Sequence, residues 1–418
     1  MQRTPRGNRL HLALFGRRNS GKSSLLNALT RQQVAIVSDV PGTTTDPVEK
    51  PMELLPIGPV LFIDTAGIDD QGSLGEQRVA RTRAVIERTD VALLVCAAGQ
   101  WEPFERELLA ELQVQERPVI VVANQADRGR STVALRQELC QAGIPLVETT
   151  ATSGQGLEEL REKLLEVIPP EWLASTSIAG DLVPPGELAV LVVPLDMEAP
   201  KGRLILPQVQ TIRDLLDHDA GCLVVKEREL RSALARLNQP PALVVTDSQA
   251  FLKVAADTPP SIKMTSFSIL FARYKGDLVE FVRGALAIDR LHSGARVLIC
   301  EACTHHPIGD DIGRAKIPRW LRQYVGGPLV FEHLQGHDFP GDLDGIDLVV
   351  HCGACVQNRR EMLSRIYRCR QAGVPITNYG MTIAYTQGIF ARALSPFPAA
   401  WEVFRAHRSK TAAEGETA

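Results

Sequence analysis

The sequence lacks long hydrophobic runs. None of its apolar stretches reaches the roughly 18 to 20 residues that a membrane-spanning helix needs. The apolar run before Gly16 has only about five residues, which is too short for the core of a signal peptide. We therefore expect a cytoplasmic protein that does not bind a membrane.

Basic charge and clustered histidines are also scarce. The formal net charge is -3 over 418 residues, so composition gives no support for a nucleic-acid partner. Nine histidines are spread along the chain without forming a histidine-rich tract. Eight cysteines are few for a disulfide framework in a chain of this length, so their positions carry more information than their number.

The chain is too long for one hydrophobic core, and its alternating strand-like and helical patterns predict an α/β protein of three domains. Paired prolines indicate a linker after the first domain. The predicted segments are a first domain over 1–169, a linker over 170–186, a small α/β domain over 187–265, a third α/β domain over 266–400 and a disordered tail over 401–418.

A phosphate-binding loop lies near the start of the chain. Gly16 to Ser23 matches GxxxxGK[ST] between a predicted strand and a predicted helix, which is the context that this motif requires. The glycines let backbone N–H groups surround a β-phosphate, Lys22 neutralises phosphate charge, and the Ser23 hydroxyl ligates Mg²⁺. The loop residues expected to bind nucleotide are Gly16, Asn19, Ser20, Gly21, Lys22, Ser23 and Ser24.

Two further segments are typical of the switches that sense a γ-phosphate. Asp64 follows a predicted strand as an Mg²⁺-side carboxylate should, and Gly67 stands where a γ-phosphate-sensing glycine is expected. Residues 41–46 resemble a first switch, in which we favour Thr44 as the Mg²⁺ ligand and include Thr43 in the nucleotide site. Lys22, Thr44 and Gly67 are therefore the expected catalytic residues.

The base-recognition motif selects guanine. Asp127 can accept hydrogen bonds from both guanine N–H positions, which adenine does not offer, and Asn124 belongs to the same motif. Gln125 replaces the lysine of the usual NKxD pattern, so we expect weaker affinity with unchanged guanine preference. Thr150 and Ala151 resemble the loop that brackets the base. Together these motifs predict a Ras-like domain that binds and hydrolyses GTP.

Ile68 stands where Ras-like proteins place a water-positioning glutamine, and this makes the domain resemble the GTPase group typified by the tRNA-modification protein MnmE. The resemblance implies a K⁺ ion held by Asn19 and by the segment from Ser38 through Thr43 to Thr44. It also implies that Glu76 orients the attacking water. The alternative for Glu76 is the solvated face of a charged helix.

Two CxxC pairs follow two predicted strands of the third domain. Cys300 and Cys303 end one strand, and Cys352 and Cys355 follow the other. Because ligands bind at the carboxyl ends of parallel strands, the two segments are expected to converge on one metal. A Cys₄ zinc site and a three-cysteine 4Fe-4S site remain open, since alternation along the strand can turn Cys300 into the core.

The blocks ACTHHPIGDDIGRAKIP and HCGACVQNRREML, behind an MnmE-like GTPase domain, resemble the HydF family of FeFe-hydrogenase maturation GTPases over nearly the whole chain. The resemblance implies that Cys303, Cys352 and Cys355 hold a 4Fe-4S cluster. The candidates for its fourth ligand are His305, His306, His351, Glu301 and Cys300. For His306 and His351, hydrogen bonding behind the ligands is the alternative.

The same resemblance implies a homodimer formed through the middle domain. It also implies a scaffold that receives a transient diiron precursor from radical-SAM maturases and passes it to apo FeFe-hydrogenase. Two alternatives stay open, namely a ribosome- or tRNA-associated GTPase with a structural Cys₄ zinc domain and a metallochaperone GTPase. The first predicts a basic surface and the second a histidine-rich tract, and the composition supports neither.

Overall fold

The computed structural model describes residues 4–30, 48–54, 57–65, 82–98, 100–169, 177–194, 204–302 and 311–415. The chain forms two compact units, Met1–Ser175 and Thr176–Ala418, which we call the N-terminal and C-terminal units. The N-terminal unit has two hydrophobic cores and the C-terminal unit has one. No helix within the described ranges is long and apolar enough to cross a membrane.

The N-terminal unit contains a six-stranded sheet with the strand order β2-β3-β1-β4-β5-β6. Strand β2 is antiparallel to β3, and the other neighbouring pairs are parallel. The strands are β1 Leu10–Phe15, β2 Val48–Leu54, β3 Gly58–Asp64, β4 Val91–Ala97, β5 Val119–Asn124 and β6 Leu146–Glu148. The helices are α1 Lys22–Thr30, α2 Pro103–Val114, α3 Val133–Gln141 and α4 Leu157–Val167, and residues 82–87 are also helical.

The apolar runs of this sheet are buried on both faces. In β1, Leu12 and Leu14 pack into one core with Leu25 of α1, whereas Ala13 and Phe15 pack into a second core. This is the pattern of a parallel sheet with helices on both faces, because successive side chains of a strand point to opposite sides. The predicted α/β fold of this unit is therefore confirmed.

The C-terminal unit contains two four-stranded parallel sheets with the orders β10-β9-β7-β8 and β12-β11-β13-β14. Their strands are β7 Leu188–Val192, β8 Gly221–Val225, β9 Leu243–Thr246, β10 Lys263–Ser266, β11 Arg296–Glu301, β12 Val330–Gln335, β13 Leu348–His351 and β14 Ile376–Asn378. The helices are α5 Leu206–Asp217, α6 Leu230–Arg236, α7 Phe251–Asp257, α8 Phe267–Lys275, α9 Leu278–Leu286, α10 Ile317–Val325, α11 Arg359–Gln371, α12 Tyr379–Thr386, α13 Phe390–Leu394 and α14 Pro398–Gly415.

One hydrophobic core joins these two sheets. It extends from Ile178 to Phe404 and includes residues of both. Helix α8 begins where β10 ends, with the Ser266 side chain accepting a hydrogen bond from the backbone N–H of Ile269 (3.2 Å). Asn378, at the end of β14, donates from Nδ2 to the carbonyl of Ser268 (2.8 Å). Helix α8 therefore connects the first sheet to the second.

The order of the second sheet makes β11 the neighbour of both β12 and β13, so the chain leaves β11 toward one side and later returns on the other. The carboxyl ends of β11 and β13 flank the point where the strand order reverses, which is where open α/β sheets bind ligands. The two CxxC segments follow these two strands.

The segment expected to form a disordered tail, 401–418, is helical as far as Gly415 as part of α14, which begins at Pro398. Phe404 is buried, and its ring stacks edge-on against Phe390 with centroids 5.3 Å apart. Burial of an aromatic side chain stabilises this helix, and the polar composition of the chain end does not report that contact.

Candidate functional site

The phosphate loop has two glycines that no other residue can replace without strain. Gly16 has φ +142°, and a Cβ there would lie 2.0 Å from the carbonyl oxygen of Val95. Gly21 has φ +85°, and its Cβ would lie 2.2 Å from Nδ2 of Asn124. The loop therefore packs against β4 and against the base-recognition motif at the end of β5.

Lys22 is buried at the start of α1. Its ammonium donates hydrogen bonds to the carbonyl oxygens of Gly16 (2.8 Å) and Arg17 (2.6 Å), on the loop that would surround a phosphate. The Ser20 hydroxyl donates to the same Arg17 carbonyl (3.0 Å). The positive charge of Lys22 therefore lies beside the backbone of the loop, where it can neutralise a bound phosphate.

Ser23 and Asp64 form the part of the site that fits a divalent cation. The Ser23 hydroxyl donates to Oδ2 of Asp64 (2.8 Å), whereas Oδ1 of Asp64 is buried and has no hydrogen-bond partner among the described residues. Burial raises the pKa of Asp64, against the opposing effects of the Ser23 hydrogen bond and the Lys22 charge. Oxygen ligands of this kind suit Mg²⁺.

Asn124 connects the base-recognition motif to the phosphate loop. Its Nδ2 donates to the carbonyl of Ser20 (3.1 Å), and its Oδ1 accepts from the Thr149 hydroxyl (3.1 Å) and the backbone N–H of Ala151 (3.3 Å). Thr150 is buried, and its hydroxyl has no hydrogen-bond partner in the described ranges. Three separate segments therefore meet at one buried amide.

Gln125 adds a second contact to the loop. It donates from Nε2 to the carbonyl of Asn19 (3.0 Å), and both residues have positive φ, +59° and +60°. Asp127 is exposed two residues further on, available to a base. Ser24 is half-buried on α1. The glutamine that replaces the usual lysine thus retains a link between the base motif and the phosphate loop.

Several predicted residues of this site lie outside the described residues. They are Ser38, Thr43, Thr44, Gly67 and Glu76. Their predicted roles in Mg²⁺, K⁺, γ-phosphate and water binding stay predictions.

Sequence reasoning missed the role of Arg17 in the loop. Its guanidinium forms ion pairs with Glu102 and Glu105, each with an N–O distance of 2.8 Å, and lies 5.2 Å from the ring centroid of Phe104. Glu102 and Glu105 also form the capping box of α2. The sequence did contain one signal for this acidic pair. Glu102 and Pro103 followed by Glu105 form a pattern that is typical of the start of a helix.

The two cysteine-bearing strand ends meet in the C-terminal unit. The backbone N–H of Cys352 donates to the carbonyl of Cys300 (2.9 Å). The sulfur of Cys352 accepts from the backbone N–H groups of Ala302 (3.1 Å) and Ala354 (3.5 Å). Cys303 is the next residue after Ala302 in the chain and lies, with His305 and His306, outside the described residues.

Cys355 lies half-buried on the same loop, which ends where Asn358 caps α11 by accepting from the backbone N–H of Glu361 (3.0 Å). Burial raises the pKa of Cys355, while the Lys275 charge and backbone N–H groups oppose the rise. Within the described ranges, no group of three or more histidine, cysteine or acidic side chains is arranged to hold a metal. Donors directed at sulfur nevertheless suit thiolate ligands.

Cys300 and Glu301 have different surroundings although they are neighbours on β11. Cys300 is fully buried, and burial raises its pKa to about 12. The Glu301 carboxylate accepts from the Tyr379 hydroxyl (3.2 Å) and from Nε2 of Gln335 (3.2 Å). The protonated thiol of Cys300 is thus favoured by its position, whereas Glu301 is already hydrogen-bonded to two side chains.

Both ring nitrogens of His351 have partners. Nε2 lies 2.8 Å from Nη1 of Arg365, and Nδ1 lies 2.9 Å from the carbonyl oxygen of Cys352. A guanidinium only donates, so Nε2 accepts and Nδ1 donates. Burial, then the Arg365 charge, lowers the pKa of His351 to about 3. This geometry favours hydrogen bonding behind the cysteine loop, the alternative considered for this residue.

Arg365 is itself buried and paired. It donates from Nη2 to Glu361 (2.8 Å) and to the carbonyl of Gly336 (3.0 Å). The sequence identified His351 as a candidate site residue but did not identify Arg365. The helix that carries Arg365 has several arginines, and nothing in the sequence distinguishes this one from the others.

Comparison with known proteins matches three family models to the chain. The "Hydrogen maturase F dimerization domain" matches residues 178–276 and the "Hydrogen maturase F tetramerization domain" matches residues 279–396. Together these two cover just over half of the chain. The "50S ribosome-binding GTPase" model matches residues 11–125. Tetramerization was not among the sequence predictions.

The relatives of the N-terminal unit are GTPases. tRNA modification GTPase MnmE from Synechococcus elongatus is 37% identical over 178 residues, covering 40% of this chain and 38% of that protein. MnmE from Aquifex aeolicus is 39% identical over 159 residues, covering 38% and 34%. The solved G domain of T. maritima FeoB is 29% identical to this chain, with a TM-score of 0.31. The match covers 38% of this chain and 99% of the FeoB G domain. The chain spans under two-fifths of the length of these MnmE relatives.

Proposed function

Because the chain belongs to the HydF family and places a GTPase domain before the two HydF domains, we propose that it is a GTP-hydrolysing scaffold for hydrogenase maturation. In this role it holds a 4Fe-4S cluster and delivers a diiron precursor to apo FeFe-hydrogenase. One observation carries the proposal above all. The 3.1 Å hydrogen bond from Ala302 to the Cys352 sulfur joins the two cysteine-bearing strand ends.

The nucleotide reaction is the hydrolysis of GTP by water to GDP and phosphate. Lys22 and the loop N–H groups bind the phosphates, and Ser23 and Asp64 hold Mg²⁺ together with Thr44. Oδ1 of Asp64 is buried and has no hydrogen-bond partner among the residues that the structure describes, and this supports the assignment. Gly67 senses the γ-phosphate.

K⁺ is part of the proposed reaction as well. Asn19, Ser38 and Thr43 bind it, and Glu76 orients the attacking water. This assignment rests on the resemblance to the MnmE group and on Ile68 in place of a glutamine. Turnover should therefore fall when Na⁺ replaces K⁺ at constant ionic strength, and equal rates in the two salts would remove the K⁺ site from the proposal.

Cys303, Cys352 and Cys355 are the proposed cluster ligands. The N–H donors at the Cys352 sulfur and the Lys275 charge near Cys355 support thiolate ligation. A cluster bound by three cysteines supplies one iron whose fourth ligand can exchange. Of the candidates for that ligand, His351 and Cys300 are disfavoured by their burial and contacts, and His305, His306 and Glu301 remain.

The diiron unit is the cargo and not a resident cofactor. Radical-SAM maturases supply it and apo-hydrogenase receives it. GTP hydrolysis shifts populations between conformations or partner complexes and does not drive bond making at iron.

Two variants test whether the nucleotide and cluster sites are separable. Lys22→Ala should abolish GTP hydrolysis and hydrogenase maturation but keep its iron, since Lys22 and the cysteines belong to different compact units. Cys352→Ser should lose iron and keep hydrolysis. Cys140→Ser, which changes an exposed cysteine of the N-terminal unit, is the matched control.

The measurements are metal content after anaerobic purification and the EPR spectrum after reduction. Full iron content in Cys352→Ser would rule out that ligand. Colourless wild-type protein with stoichiometric zinc would reject the cluster and favour a GTPase with a structural zinc domain.

A homodimer is the proposed assembly of the middle segment, and the HydF dimerization match supports oligomerisation. Strand β8 is an edge of its sheet, with Val224 42% exposed. Val209 and Leu216, seven residues apart on α5, are 37% and 53% exposed. An apolar edge of this kind suits pairing with a second copy.

The dimer is tested by light scattering during gel filtration. Val224→Lys should shift the molecular mass toward the monomer, because an edge lysine opposes strand pairing. Leu252→Lys, at a 54% exposed position of α7, should not. A wild-type mass for Val224→Lys would show that the β8 edge is not the interface.

A further inference from the structure

A buried lysine ends the helix that connects the two sheets. Lys275 is the last residue of α8 and only 2% of its surface is exposed. Burying a charged amine is costly unless opposite charge lies close by. The position of Lys275 at a helix C-terminus offsets part of that cost, because the last helical carbonyls carry partial negative charge.

The cysteine loop lies against this helix. A Cβ built on Gly353, between Cys352 and Cys355, would be 4.0 Å from Cβ of Phe271 and from Oγ of Ser268. These two residues belong to α8. The loop that carries two proposed cluster ligands therefore runs beside the helix that carries Lys275, with room for about one methyl group between Gly353 and these two side chains.

A second attachment fixes the end of α8 itself. Arg359, which begins α11 just after the loop, donates from Nη1 to the carbonyls of Tyr274 (2.7 Å) and Gly276 (3.2 Å). These two carbonyls flank Lys275. The ammonium also lies 5.0 Å from the ring centroid of Tyr274. The backbone on both sides of Lys275 is thus hydrogen-bonded to an arginine that directly follows the cysteine loop.

Lys275 also lies on the face of α8 that meets the cysteine loop. It follows Phe271 by four residues and Ser268 by seven, so the three side chains lie on one side of the helix. The helix therefore places its terminal lysine on the side that carries the proposed cluster ligands.

We propose that Lys275 is a positioning residue that sets the reduction potential of the cluster. The inference rests on the proposed function, because it requires the cluster at Cys355. Taking up one electron adds one negative charge to an already anionic, thiolate-bound group. A buried cation nearby favours the reduced state and makes the potential more positive. No bond or proton changes are needed.

Lys275→Met removes the positive charge and nearly preserves the length and the apolar part of the side chain. Lys275→Arg keeps the charge, and Lys253→Met removes an exposed lysine that pairs with Asp257 on α7 (3.2 Å). The full-length protein is purified anaerobically. Its iron content is measured, and the reduced cluster is titrated by EPR against dithionite in the presence of redox mediators.

At the wild-type midpoint, the ratio of reduced to oxidised cluster in Lys275→Met should fall at least about tenfold, equivalent to a midpoint about 59 mV more negative. Lys275→Arg and Lys253→Met should stay within about twofold of wild type. A wild-type midpoint in fully iron-loaded Lys275→Met would overturn the inference.

Loss of iron is also decisive. If Lys275→Met loses iron and Lys275→Arg retains it, the positive charge holds the cluster in place instead of setting its potential, and the inference fails. If both lose iron, Lys275 acts through packing and the inference fails. Wild-type protein without any iron-sulfur cluster would instead be the failure of the proposed function.

Discussion

The Ser23 hydroxyl donates a 2.8 Å hydrogen bond to Oδ2 of Asp64, which lies 41 residues further along the chain. The second carboxylate oxygen, Oδ1, is buried and has no hydrogen-bond partner in the part of the chain that the structure describes. Burial raises the pKa of Asp64, so the protein stabilises the protonated form relative to the unfolded chain. At neutral pH the charged carboxylate therefore costs stability until a cation binds it.

Asp64→Asn should remove this cost. The metal-free variant should unfold at the same or a higher denaturant concentration than wild type, whereas the stabilisation by Mg²⁺ and GDP should disappear. That stabilisation is about 2.7 kcal/mol when ligand is present at 100 times its dissociation constant. Urea unfolding with and without Mg²⁺·GDP measures both effects. Glu53→Gln, at an exposed carboxylate of the same unit, is the control, and an unchanged Mg²⁺·GDP effect in Asp64→Asn would contradict the prediction.

Gly21 and Gly58 make a matched pair for testing the phosphate loop. Both have φ in the left-handed region, +85° and +96°, but a Cβ on Gly58 meets nothing within 4 Å, whereas one on Gly21 meets the Asn124 amide. Gly58→Ala should cost about 1 kcal/mol of unfolding free energy through backbone strain alone. Gly21→Ala should cost about 1–3 kcal/mol more, because Asn124 must move, and should lose GDP binding. Equal costs in urea unfolding would show that the contact with Asn124 does not matter.

The sequence was most informative where short motifs have fixed spacing. The phosphate loop, Asp64 and Asn124 were all assigned from local patterns, and the apolar strand runs predicted the parallel sheets. The carboxyl ends of β11 and β13 were likewise expected to meet, and Cys352 does hydrogen-bond to the backbone of Cys300 and Ala302. Each of these inferences needs only the chain direction and the rules of parallel sheets.

Contacts between side chains from distant elements were not predictable in this way. Arg17 with Glu105 and His351 with Arg365 depend on how helices α2 and α11 pack onto their sheets. Nothing in the spacing of the sequence reports that packing, and each of these helices offers several equivalent charged residues. The same limitation explains the helical tail, because the partner ring of Phe404 belongs to Phe390 on another helix.

His11 should make the stability of the N-terminal unit depend on pH. It is the only histidine among residues 1–169. It is buried on β1, and its ring nitrogens lie 3.1 Å from the carbonyl oxygens of Arg88 and Arg6. Burial lowers its pKa below 6.5, against the opposing charge of Asp90.

The unfolded chain therefore binds a proton below pH 6.5 that the folded chain does not, so His11 costs stability as the pH falls through this range. Between pH 7 and 5.5 the loss should be at most about 1 kcal/mol, the limit for a histidine that stays neutral in the folded chain. His11→Gln should show a weaker loss over the same interval, measured by hydrogen exchange of the β1 amides at both pH values. If wild type and His11→Gln respond alike, His11 is not the titrating group.

Phe404 should anchor the C-terminal helix. It is 8% exposed, stacks on Phe390 and lies 5.8 Å from the ring centroid of Trp401, which is 37% exposed. Phe404→Ala should destabilise the C-terminal unit by about 3 kcal/mol, since it removes a buried ring and leaves a cavity. Trp401→Ala should cost clearly less, because more of that ring already contacts solvent. Urea unfolding ranks the two variants, and hydrogen exchange reports whether α14 opens. A disordered tail would make both substitutions neutral, whereas a packed helix makes the Phe404→Ala effect the larger of the two.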